Sequence, residues 1–160
     1  MATLPQLIEE DIRRMDEILR EFLRQSGAMI ALVVDKGGFL LAHQGESADL
    51  DLTSIGALAS GAFMANQAIA GLINEKSFES LHQHGENFSL FISDVDEHCL
   101  LIVLFKSAVG VGLVKYYAPA AVQAIAQQLL LARGRDPLGG LDLSELNCSD
   151  PQEFFRKKTV

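Results

Sequence analysis

Two histidines, His82 and His84, stand two positions apart, the spacing that puts both side chains on one face of a β-strand. Such a pair holds a metal ion when a third ligand joins it, for example His98 or Cys99. Histidines on an edge strand also serve as plain polar surface, and no metal site is expected here. Cys99 opens the apolar run "CLLIVLF", where a thiol is buried and its thiolate disfavoured, and no base accompanies it. Cys148 lies far from Cys99 with no CxxC, so the two read as a core thiol and a tail thiol, neither disulfide nor zinc framework. Asp94, Asp96 and Glu97 have the spacing of a solvated turn. "VGVG" at Val109–Gly112 with Lys115 lacks the spacing of a phosphate loop and the Ser or Thr after its lysine. Arg13, Arg14, Arg20 and Arg24 are candidates for donating an arginine to a phosphoryl-transfer transition state. Acids at helical spacing, Glu10 with Arg14 and Glu17 with Arg20, predict instead a mutually neutralised face. No catalytic residue, cofactor or metal is therefore expected.

The elements that carry these residues follow from periodicity. Leu4, Leu7, Ile8, Ile12, Met15, Ile18, Leu19, Phe22 and Leu23 recur at helical spacing, predicting a first helix over Leu4–Arg24 that stops at Gly27. "MIALVVD" and "FLLAH" are two strands joined by the turn "DKGG". A second helix runs from Asp51 or Thr53, as its cap, to about Asn74. A short strand over Phe78–His82 follows, then "NFSLFIS" and "HCLLIVLF" around "DVDEH"; the last is apolar on both faces and belongs at the centre. "VGLVKYYAPAAVQAIAQQLLLAR" is a third helix, with Pro119 in its first turns or at its true start.

That order, α-β-β-α-β-β-β-α, predicts one α+β domain over residues 1–133, with a five-stranded antiparallel sheet sandwiched by helices. The first and third helices cover one face and the second helix the other. Residues 134–160 read as an acidic tail, in which Asp150, Pro151 and Glu153 mark the start of a short terminal helix carrying Phe154 and Phe155. With 21 acidic against 13 basic residues the net charge is −8, which disfavours nucleic acid and anionic lipid as partners. The amino terminus carries charges and no apolar run, so a cytoplasmic location is expected.

The second helix poses the main question. Thr53–Asn74 contains no Asp, Glu, Lys or Arg, and about twenty apolar residues cross a bilayer. Asn66, Gln67, Asn74 and the predominance of Ala, Gly and Ser over Leu argue against a span. On a helical net Leu52, Ile55, Ala59, Ala62, Asn66, Ile69 and Ile73 form one stripe, and Leu58, Gly61, Ala65, Ala68 and Leu72 a second. One sheet covers one stripe only. The small residues favour close approach of another helix, and a two-fold axis makes the patch its own complement, predicting a homodimer.

The segments "ALVVDKGGFLLAHQG", "LTSIGALASGAFMANQAIAGLINE", Phe78 to Gly85 and "LLIVLF…VGLVK" resemble the Roadblock / dynein light chain family, and within it the bacterial MglB type, over about Ile8 to Arg133. The resemblance implies a profilin-like layout and a homodimer with paired second helices and edge-paired third strands, placing Leu58, Gly61, Ala65, Ala68, Leu72, Phe78 and Leu81 at the interface. It also implies a Ras-like small GTPase as partner, whose GTP hydrolysis the MglB type promotes without supplying a catalytic residue. A non-catalytic dimeric scaffold and a small-molecule sensor are the other readings of this layout. One departure is visible: where the MglB pattern has a histidine two residues before Gly85, this chain has Gln83.

Overall fold

The computed structural model describes residues 4–47 and 49–135. The expected terminal helix around Phe154 and Phe155 lies outside the described residues. The first helix, α1, spans Glu9–Ser26 and ends on Gly27 in the left-handed conformation. It begins later than the apolar spacing suggests. The Asp11 carboxylate accepts the Ile8 N–H at 2.9 Å and closes the helix there. Leu4 and Leu7 still pack against the core, but from a non-helical lead.

The strands are β1 (Ile30–Asp35), β2 (Leu40–Gly45), β3 (Ser80–Gln83), β4 (Phe88–Asp94) and β5 (Cys99–Lys106), with helices α2 (Leu52–Leu72) and α3 (Gly112–Gly134). They form one antiparallel sheet in the order β2-β1-β5-β4-β3. As predicted, β5 is central and apolar on both faces. Leu101, Val103 and Phe105 enter a core with Met15, Leu19 and Phe22 of α1 and Ile125 and Leu129 of α3. Leu100 and Ile102 enter a second core with Leu52, Ala59 and Phe63 of α2. Pro119 lies inside α3, beyond its first turn, so it neither opens the helix nor marks its start. The missing N–H leaves the Lys115 carbonyl without its intrahelical donor.

Asp11 joins the two ends of the α1–α3 layer. It is fully buried and accepts hydrogen bonds from Gln128 Nε2 at 2.7 Å and Arg135 Nη1 at 2.8 Å. The Arg135 guanidinium, chiefly, holds its carboxyl down to about 2 against an ordinary 3.8. On the solvent side of α1 three of the four arginines are paired, with partners other than those expected, and Arg20 has no acidic partner within 4 Å among the described residues. Arg14 pairs with Glu17 at 2.9 Å, Arg24 with Glu21, and Arg13 approaches Glu10 at 3.9 Å. Each pair uses the i, i+3 neighbour, which is as near on a helix as i, i+4.

The β1–β2 turn and α2 lock together. The Gly38 backbone packs so closely on Ala57 that a Cβ would lie 3.0 Å from its Cα, and Ser60 Oγ donates to the Lys36 carbonyl at 2.9 Å. Asp51 caps α2 by accepting the Ser54 N–H at 3.1 Å. At its far end Asn74 adopts φ 59 and ends the helical run.

Two measurements probe these two layers. Phe63→Ala empties the centre of the α2 core and is expected to cost ~3–4 kcal/mol in chemical denaturation. Asp11→Asn should lower the thermal midpoint at pH 7. Because the folded carboxyl titrates below its unfolded value, its contribution is complete above about pH 4 and is lost as pH falls through about 2. The midpoint gap between wild type and Asp11→Asn should therefore close on acidification over that window.

Candidate functional interface

The residues that promised chemistry are dispersed by the fold. His82 and His84 do meet, ring centroids 6.2 Å apart. Cys99, however, pairs with Asp35 at the opposite end of β5 from Phe105, the residue on which His82 stacks. Six residues of strand separate them, about 20 Å, so neither His98 nor Cys99 completes a site with the pair. Burial, followed by the charges of Lys115 and His84, lowers the His82 pKa and keeps the ring neutral. Burial also pushes the Cys99 thiol up to about 12, with Asp96 and Asp35 adding to it. A thiol so held is no nucleophile at neutral pH.

The acidic turn is less solvated than its composition suggests. Asp96 accepts the N–H groups of His98 and Cys99 at 2.8 and 2.9 Å and pairs with Arg133 at 3.0 Å. Asp94 pairs with Lys36 at 2.8 Å. These acids tie the β4–β5 turn to α3 and to the β1–β2 turn.

A second polar cluster gave no signal in the sequence. Ser89 Oγ lies 2.8 Å from Ser107 Oγ and 3.3 Å from His84 Nδ1, and Ser107 Oγ donates to the Gly85 carbonyl at 2.6 Å. The Ser–His contact invites a nucleophile reading, yet Ser89 is buried and among the described residues no acid orients the imidazole. The cluster clasps the β3–β4 turn onto the end of β5. Gly85 makes that turn possible, since a Cβ there would lie 2.3 Å from the Phe88 carbonyl oxygen.

What the fold leaves open is apolar. The sheet-facing residues of α2 are Leu52, Gly56, Ala59, Ser60, Phe63 and Ala70. Leu52, Ile55, Ala59, Ala62 and Asn66 of the predicted inner stripe face inward at least in part, but Ile69 and Ile73 are exposed. The predicted stripe repeats every 3.5 residues and drifts by about 20° per heptad from a straight helix. Over three heptads it rotates off the sheet, and Phe63 and Ala70 take its place. The outer stripe is as expected: Gly61, Ala65 and Ala68 are exposed, with Leu58 76% and Leu72 84% accessible. Nothing lies within 4 Å of a Cβ built on Gly61. By length and composition α2 is apolar enough to cross a membrane, but a spanning helix would have to abandon the core it forms with β1 and β5.

Beside this face lies the sheet edge. β3 pairs with β4 only, leaving its other edge open among the described residues. It starts at Ser80, later than predicted, because Gln67 of α2 takes the strand-like backbone groups of Phe78. Gln67 Nε2 donates to the Phe78 carbonyl at 2.6 Å, and its Oε1 accepts the Phe78 N–H at 3.0 Å. Gln67 thus pins the start of the edge segment to the helix. Its one visible signal was a polar residue inside an uncharged run. Phe78 and Leu81 are partly buried, and Leu81 packs on the second core opposite Ile92. α2 packs on β1, β2 and β5. The β4 residues Leu90 and Phe88, on the same sheet face, stay partly or largely exposed. The uncharged helix face, the free strand edge and this half-covered sheet make one continuous surface.

Comparison with known proteins places this arrangement. The model of the Roadblock/LC7 domain matches residues 14–105. An uncharacterized protein of Methanocaldococcus jannaschii is 30% identical over 111 residues, covering 69% of this chain and 96% of its own length. A solved structure of MglB in a tetrameric arrangement superposes with a TM-score of 0.76 at 30% identity, covering 82% of this chain and 99% of that one. The gliding protein MglB of Thermus thermophilus gives 0.74 at 30% identity with the same coverage. The chain belongs to the Roadblock/LC7 domain family and is an MglB-like member of it.

Proposed function

We propose that this protein is a cytoplasmic homodimer that regulates a Ras-like small GTPase, promoting GTP hydrolysis as an MglB-type activator. The observation that carries the dimer is the bare apolar face of α2 beside the open β3 edge. Removing an exposed leucine such as Leu58 or Leu72 from water is worth ~1.5–3 kcal/mol, and pairing across a two-fold axis gains this in both copies at once. The likeness to MglB over nearly the whole of that chain supports the GTPase partner.

Such a regulator needs no nucleophile or general base. The burial of Cys99, the stacked ring of His82 and the ion pairs that hold Arg13, Arg14 and Arg24 of α1 all suit a protein that works by contact. It would act by holding the GTPase switch segments in a reactive arrangement, the partner supplying Mg²⁺ and the phosphate-binding loop.

Two experiments follow. Gly61→Glu and Ala65→Arg place charge where the protomer itself has open space, so each should halve the mass in solution while leaving the melting cooperative. A variant that stays dimeric places the interface elsewhere. The second experiment measures GTP turnover by the Ras-like GTPase encoded nearest to this chain, alone and with the dimer. Turnover is expected to rise by at least about tenfold, the gain from lowering the barrier by ~1.4 kcal/mol, and to fall back with Gly61→Glu. Binding without any change in turnover favours a scaffold, and no complex at all contradicts the GTPase reading.

A further inference from the structure

On the face opposite α2, two contiguous grooves follow the line between α1 and α3. The first, about 630 Å³, is walled by Glu10, Arg13 and Arg14 on one side and by Leu130, Leu131 and Arg135 on the other. The second, about 330 Å³, continues past Arg14 and Glu17 toward Gln25, with Ala120, Ala121 and Ala124 as its α3 wall. Glu10 to Glu21 covers twelve residues of helix, a groove of about 16 Å. Leu130 and Leu131 are 65% and 62% accessible. Two adjacent leucines left this open on a helix that has already buried Ile125 and Leu129 have no role within the described fold.

The chain itself continues from this groove. Arg135 lines it and is held there by the buried carboxylate of Asp11. Beyond lie 25 residues, from Asp136 to Val160. From Asp136 to Glu153 this segment carries five acids and no Lys or Arg, and then come Phe154, Phe155, Arg156, Lys157 and Lys158. The groove mixes the same charges, Arg13, Arg14 and Arg135 with Glu10 and Glu17, around an apolar floor. Eighteen residues lie between Arg135 and Phe154, a reach of up to about 60 Å, several times the groove length. Tethering of this kind supplies an effective concentration on the order of millimolar, so even a weak seat is filled.

We propose that the α1–α3 groove is the docking site of the chain's own carboxy-terminal segment, with Phe154 and Phe155 seated on Leu130 and Leu131. The anchors are two aromatic side chains, and the seat is a pair of exposed leucines with charged rims. It leaves the α2 face free and does not depend on the identity of the partner.

Methyl NMR and trypsin test it on the full chain. Phe154→Ser/Phe155→Ser is compared with the wild type and with the groove variant Leu130→Glu/Leu131→Glu. The tail variant should shift the Leu130, Leu131 and Ala124 methyl resonances. Both variants should raise the rate of cleavage after Arg156 and Lys157 by about tenfold, since cleavage follows the undocked population. Unchanged methyl shifts and cleavage rates overturn the proposal. Mixing unlabelled wild type with labelled tail variant separates the two sources of a tail. Restored methyl shifts in the labelled chain mean that the other copy's tail fills the groove, and overturn docking within one chain.

Discussion

The structure depends on one asymmetry of burial. A five-stranded sheet has two faces, and here the second is served by a single helix with no charge anywhere on its surface. That helix buries Leu52, Phe63 and Ala70 on β1 and β5 and leaves Leu58, Ala65 and Leu72 in water. A helix apolar on all sides is stable only when covered on all sides. In the opposite layer α1 and α3 share the sheet and each other and α1 keeps charged residues outward, although α3 leaves Leu130 and Leu131 exposed. The open face of α2 is therefore the feature on which the proposed assembly rests.

Much of this was legible in the sequence, and the misses have definite causes. The continuous apolar runs of β1 and β5 and the cap at Asp51 are local signals, and they located the elements. The inner stripe of α2 failed at Ile69 and Ile73, because a 3.5-residue reading drifts off a 3.6-residue helix. The start of α1 failed because apolar spacing at Leu4 and Leu7 looks the same whether a helix or an extended lead delivers those side chains to the core. β3 began late because Gln67, on the preceding helix, claimed the backbone of Phe78.

The polar residues teach a related lesson. Asp11, Asp96, Gln67 and Ser89 each bond across separate elements, and no spacing rule exposes such pairs. Composition could only class Asp96 as a turn acid and Gln67 as a misfit in an apolar run. The histidines and Cys99, by contrast, drew notice for chemistry and serve packing. The shifted titration of His82 and Cys99 comes first from burial, which disfavours the charged form.

The central claim is that the outer face of α2 lies against the same face of a second copy. Isotope-filtered NOE spectra of a mixed sample, one chain labelled and the other not, test it most directly. The account predicts cross-chain contacts from the Leu58, Ala65 and Leu72 methyls to α2 of the unlabelled chain. An absence of such contacts in a sample that is dimeric by mass, or contacts confined to α1 and α3, would contradict it.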